Sequence, residues 1–190
     1  MGLFDNFMKK YFNIEPTTPI QQQVQQPFVT QQDIAEVQPI IEEDNYYSFP
    51  VAGISFHDKE LKKIIKNNLD QGKLEKFKGL SNRDIIDFGY ELDIYETQLL
   101  DGVTLEKYLF NGKNAIKVLI DDTTGNYLEI GSVPNNHLNA ILEILNRQIT
   151  KLEYEITGGV RKTPTLNDNG RDIIDTQNLN YGMVIHIYYK

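Results

Sequence analysis

Between Tyr108 and Leu145 the chain has little conformational choice. Asn111-Gly112 is a dipeptide suited to the left-handed backbone of a tight reversal, and the apolar alternation behind it, through Ala115, Ile116, Val118 and Ile120, reads as a buried strand. Asp121-Asp122-Thr123-Thr124-Gly125 returns that strand as a hairpin, and Tyr127 to Val133 forms its second arm. Pro134-Asn135-Asn136 then opens a helix with Leu138, Ile141, Leu142 and Leu145 on one face. That face has the pattern of a helix closing a small β-barrel or sheet. The unit defines a fold but contains no evident reaction chemistry.

With 190 residues, 40% of them hydrophobic, the chain can bury one ordinary core and carry a tail. There is no cysteine, which excludes disulfides, thiolate metal sites and a cysteine nucleophile and fits a reducing cytoplasm. His57, His137 and His186 lack the spacing of metal ligands, so no metal site and no cofactor is expected. No apolar run approaches the ~18 residues of a membrane span. The N-terminus lacks the apolar centre of a secretory signal, and Asn6 stands where a myristoylation signal has Ser or Thr. These features describe a cytoplasmic protein without a membrane span.

The formal charge of −8 argues against indiscriminate phosphate binding. Seven acidic and two basic side chains lie in residues 1–46, so twenty acids and seventeen bases remain beyond them, a balance of −3. A local basic face is compatible with that balance.

Leu3, Phe4, Phe7, Met8, Tyr11 and Phe12 recur at helical spacing, so residues 1–14 hold a short amphipathic helix or tail. A helix this short needs a partner surface: its own domain, another chain or a membrane. Residues 15–46, rich in Gln and Pro, have no sustained period and read as a disordered linker. The folded domain covers 47–190. Its first strand is interrupted by Pro50 and Gly53, and Asp58 is positioned to cap a helix over 59–69. That helix sets Leu61, Ile64, Ile65 and Leu69 against Lys59, Lys62, Lys63 and Lys66, a stripe that reads as a solvated face. Ser81 to Asp84 resembles a capping box for a helix ended by Gly89. Residues 90–100 and 103–109 alternate like a hairpin joined at Asp101-Gly102. A strand at 151–156, a long polar excursion over 158–170 and a terminal strand over 181–189 complete the domain.

Catalysis needs a nucleophile or activated water beside a positioned base. Asp121-Asp122 sits at a hairpin tip and Glu42-Glu43-Asp44 in the linker, where nothing excludes water, and both read as solubilising residues. Gly112-Lys113 is followed by Asn114 where a phosphate loop has Ser or Thr, and it leads into a strand. No enzymatic activity is expected.

Phe49-Pro50-Val51-Ala52-Gly53-Ile54-Ser55-Phe56, Lys113-Asn114-Ala115-Ile116-Lys117-Val118 and Ile130-Gly131-Ser132-Val133-Pro134 with its helix occur in that order. In this the chain resembles the HIRAN domain family, small OB-like β-barrels of bacterial, phage and DNA-translocase proteins, over about residues 47–157. The resemblance implies an α+β, β-dominated fold: an OB-like barrel with two or three short helices, preceded by a disordered N-terminal tail. It also implies recognition of single-stranded DNA or DNA ends by aromatic stacking and a positive groove. Carried over by position, the binding residues are Ser55, Phe56, His57, Asn111, Lys113, Asn114, Lys117 and Asn135. The family's Asn-Pro-Tyr-Asp is replaced by Leu109-Phe110-Asn111-Gly112, so the Tyr and Asp that help hold a terminal nucleotide fall on Asn111 and Gly112. The expected function is a non-catalytic single-stranded DNA-binding module. The alternative is an adaptor that has lost DNA binding and docks a protein partner through residues 1–14. The Ile-, Asn- and Lys-rich composition has a bacterial or phage character.

Overall fold

Two consecutive residues hold the structure's two main sheets together. Val51 N–H donates to Met183 O at 2.8 Å, and Ala52 exchanges both backbone hydrogen bonds with Ser132 at 2.9 Å. The computed structural model describes residues 44–190, and the expectations for residues 1–14 and for most of the linker lie outside them. The first strand, β1 (Asn45–Pro50), already contains Asn45 and Tyr46, the last two residues assigned to the linker. It pairs with the terminal strand β10 (Gly182–Tyr189), which pairs on its other side with β7 (Ile149–Thr157), and β7 pairs with the short β3 (Leu99–Leu100). The second sheet is the antiparallel run β4 (Val103–Phe110), β5 (Lys113–Asp121), β6 (Tyr127–Ser132). The third sheet joins β2 (Leu92–Asp93), β8 (Val160–Leu166) and β9 (Asp172–Asn178).

The first two sheets meet along both margins. Residues 51 and 52 join one margin. At the other, Leu100 pairs with Tyr154 of β7 and Val103, three residues on, with Ile120 of β5. Between the sheets lie Ile116, Val118, Ile120, Ile130, Tyr154, Ile156, Ile185 and Ile187, each at most 1% exposed. Removing each such aliphatic side chain from water stabilises the fold by roughly 1.5–3 kcal/mol. Helix α1 (Asp58–Asp70) adds Leu61, Ile64 and Ile65 to this core, and α3 (Asn135–Ile144) adds Ile141 and Ile144. Asn68 of α1 is buried, and its Nδ2 bonds Ile64 O at 2.9 Å and Tyr154 Oη at 3.2 Å. No described helix is long and apolar enough to cross a membrane. The described domain is therefore α+β and β-dominated, with three short α-helices.

Helix α2 (Asn82–Phe88) has the expected capping box: Asp84 N–H donates to Ser81 Oγ and Ser81 N–H to Asp84 Oδ2, and Gly89 ends the helix in the left-handed region. Four other expectations are corrected. His57, not Asp58, is the N-cap of α1; Asp58 is its first residue and pairs with Lys62 at 2.6 Å. Residues 90–100 do not form a hairpin with 103–109: β2 pairs with β8 and β3 with β7, because partners far along the chain outcompete the local one. The excursion over 158–170 is the start of the β8–β9 hairpin, turned by Asn167, whose Oδ1 accepts from the backbone N–H groups of Asn169 and Arg171 at 3.0 Å. Few of its side chains face a core, which leaves it little apolar pattern.

The fourth correction concerns Asp122, expected at a solvated tip. Its side chain is 0% exposed and accepts from Lys63 Nζ at 2.7 Å and from the backbone N–H of Thr124 at 3.0 Å, while its backbone oxygen accepts from Asn67 Nδ2 at 2.6 Å. The tip of β5–β6 is thereby fastened to α1. One lysine of the expected solvated stripe is committed to this contact.

The turn before α2 contains two consecutive left-handed residues that are not glycine. Phe77 and Lys78 both lie in the left-handed region, at φ 52° and 53°, a conformation that costs about 1–2 kcal/mol per non-glycine residue. Phe77 N–H to Ile94 O at 2.7 Å and a reciprocal pair between the Glu75 backbone and the Gln98 amide, both bonds 2.7 Å, hold it there.

A β-bulge at Val118/Leu119 places Ile130 and Gly131 of β6 side by side in the interior. A Cβ on Gly131 would lie 2.2 Å from Ala52 O. Gly131→Ala is expected to destabilise the domain by at least the ~1–3 kcal/mol of an overpacked site, read as a lowered urea midpoint. Hydrogen bonds from Lys63 and Thr124 hold the Asp122 carboxyl well below its ordinary value of 3.8. Its contribution is therefore full above that unfolded value and is lost as the pH falls through the lower native one. Asp122→Asn is expected to be less stable than the parent at neutral pH, with the difference in urea midpoint closing progressively below pH 3.8.

Candidate nucleic-acid interface

The register of the β4–β5 hairpin creates the surface of interest. Asn111 and Gly112 occupy the left-handed region at φ 50° and 75°, giving the two-residue turn expected of Asn-Gly, with Phe110 directly opposite Lys113. Tyr108 then opposes Ala115, and Glu106 opposes Lys117. Because Ile116, Val118 and Ile120 face the core, the alternate set Lys113, Ala115 and Lys117 faces outward, together with Phe110 and Tyr108. Two aromatic rings and two lysines therefore share one face of the sheet.

The two lysines differ electrostatically. Lys117 Nζ pairs with Glu129 at 3.0 Å and lies 5.1 Å from the centre of the Tyr108 ring; the Glu129 carboxylate holds its ammonium above the ordinary value. Lys113 is exposed and has no ion-pair partner among the described residues. Beside it lies a cleft of about 280 Å³ lined by Phe110, Asn111, Lys113, Asn114, Ala115 and Asn135. Asn135 is the first residue of α3, whose Pro134 N-cap supplies no side-chain hydrogen bond. The positive end of that helix thus adds to the Lys113 charge. Three carboxamides, one free ammonium and a 61% exposed ring line the cleft, and no carboxylate does.

The remaining expected residues lie elsewhere. Gly53, at φ 83°, turns the chain after Ala52 into a short 3-10 segment, Ile54–Phe56, and leaves Phe56 89% exposed. Ser55 is exposed and His57 half-buried. Ser55 lines a second cleft, of about 270 Å³, with Ile54, Asp58, Leu61, Asn180 and Tyr181. The two clefts share no residue. Since Ala52 and Ser132 are paired antiparallel, the chain beyond Ala52 runs back beside β6, whereas Lys113 lies four residues past Lys117, the β5 partner of Ser132. Those four residues amount to about 13 Å along the strand. The structure therefore gathers Asn111, Lys113, Asn114 and Asn135, sets Lys117 aside in an ion pair, and separates Ser55, Phe56 and His57 from them.

Tyr108 and Phe110 were missed as site residues in the sequence. The signal was present: a two-residue Asn-Gly turn fixes which residues oppose one another, and counting back from it puts both rings on the face of Lys113.

Asn111 serves both the turn and the cleft, and the two roles separate experimentally. Asn111→Gly preserves the left-handed backbone, so its thermal midpoint should stay within about 1–2 °C of the parent; Asn111→Ala should lower stability by about 1 kcal/mol. The chain matches no protein-family model, no curated protein and no solved structure.

Proposed function

We propose that this domain is a non-catalytic binding module for single-stranded nucleic acid, in particular single-stranded DNA or its ends, carried on an OB-like barrel of the HIRAN kind and acting in the cytoplasm. The observation that carries the reading is the carboxylate-free cleft at the β4–β5 turn, where Phe110, Lys113 and three asparagines converge. An exposed ring stacks on a base face, a lysine without a partner meets a phosphate, and carboxamides offer a donor and an acceptor to base edges or sugar hydroxyls. Phe56 is a second exposed ring beyond the far side of the Ala52–Ser132 bridge, and a strand of several nucleotides spans such a separation. The two sheets that close around the core fit the barrel reading.

An adaptor reading with the protein contact on the barrel itself, rather than on residues 1–14, is favoured by Leu109, 71% exposed on the hairpin face opposite Phe110. A protein partner would bury it.

Fluorescence anisotropy with a short labelled single strand tests the proposal. Phe110→Ala is expected to weaken binding by the ~1–3 kcal/mol of a lost base stack, about 5- to 150-fold. Lys113→Ala should make the dependence of log K on log salt shallower by about 0.7, the release expected for one phosphate. Undetectable binding by the parent at ~50 mM salt would reject the proposal, and Leu109→Ala reducing capture of a protein partner would then support the adaptor.

A further inference from the structure

The strained turn before α2 carries charge that the fold does not use. Lys73, Lys76 and Lys78 are all exposed, and none has an ion-pair partner among the described residues. Lys162 of β8 reaches the same turn: its Nζ stands 3.9 Å from the centre of the Phe77 ring and bonds Asn82 Oδ1 at 2.8 Å. Of the acids nearby, Asp84 is occupied in the capping box, Asp87 pairs with Arg83 at 3.1 Å, Asp101 lines one cleft with Lys73, and Glu75 lies beside Gly79 in the turn itself. Lys76 and Lys78, with Lys162, outnumber Glu75, the one carboxylate within residues 74–79, on a domain whose overall balance is negative.

Hydrogen bonds hold the backbone of this turn in one unusual conformation. Glycine or asparagine would adopt the left-handed geometry at little cost, yet Phe and Lys occupy it, at ψ 34° and 30°. Phe77 is held through its backbone N–H by Ile94 O and over its ring by the Lys162 ammonium, and Lys76 and Lys78 leave the chain on either side of it in sequence. A cation whose backbone is already fixed loses less freedom on binding than one on a mobile loop.

We infer that the turn over residues 73–79, with Lys162, is a second contact surface that takes the sugar–phosphate backbone of single-stranded nucleic acid. The inference rests on the nucleic-acid reading of the cleft and extends it: the cleft takes bases through Phe110 and its asparagines, and this turn takes phosphates as point charges without regard to sequence. Ligand length is then a determinant of affinity, because a strand confined to the cleft does not engage these lysines.

The test is the double variant Lys76→Gln/Lys78→Asn in the full chain, where asparagine retains the left-handed backbone while removing the charge. Anisotropy is measured with ~4- and ~20-nucleotide single strands between ~50 and ~200 mM salt. For the longer strand the variant is expected to bind more weakly at low salt, with a log–log slope shallower by about 1.4, or about 0.7 for each of two phosphates. The shorter strand should bind parent and variant alike. An unchanged slope for the longer strand, with Phe110→Ala still weakening binding, overturns the inference and leaves the cleft standing. If the parent binds neither strand, the cleft reading itself fails and the inference with it. If the variant loses only binding to polyglutamate, the surface serves an acidic protein and the inference is likewise overturned.

Discussion

The structure depends on the closeness with which the backbone at Ala52 passes Gly131. Consecutive residues of one segment bond to different sheets, Val51 to β10 and Ala52 to β6, so this short stretch fixes where the two sheets meet. The approach is possible only because β6 presents a hydrogen atom at that point. The bulge beside it sets the angle at which β6 arrives. The position of the outward face of β4–β5, and therefore of the candidate site, follows from that angle.

The two ends of β5 serve different purposes. At one end the strand leads into a tip whose polar groups are turned inward, with Asp122 closed in by Thr124, Asn126 and Lys63, so that the tip acts as an anchor for α1. At the other end the Asn111-Gly112 turn extends past the last core residue, Ile116, and carries exposed amides and a ring. The same strand is held firmly at its anchored end and presents chemistry at its free end. This division is usual where binding groups sit on turns supported by a rigid scaffold.

What the sequence reveals about this chain depends on how far away each cause lies. The Asn-Gly turn, the Ser81–Asp84 box, the Gly89 stop, the apolar face of α1 and the terminal strand were all legible, since each is decided within a few residues. The supposed hairpin over 90–109 was not, because Leu92 and Leu99 alternate as a strand should but find their partners in β8 and β7, more than fifty residues later. The burial of Asp122 was hidden for the same reason, its lysine partner lying on a helix 59 positions away. The candidate site was legible in part. Asn111, Lys113, Asn114 and Asn135 converge, while Phe56 shows that carrying residues over by resemblance gives no information about the distance between two segments.

The placement of β10 has a consequence for how the protein is made. The last eight-residue strand of the chain lies between β1 and β7 and forms an interior member of its sheet, with Asn45 opposite Tyr189. During synthesis β1 has no permanent neighbour until residues 182–189 have followed it out, and in the interval β1 and β7 expose unpaired edges. The long sequence separation of these pairings also makes folding slow relative to a chain of local contacts. Loss of residues 182–189 would remove the middle of a sheet, a defect more damaging than the loss of an edge strand.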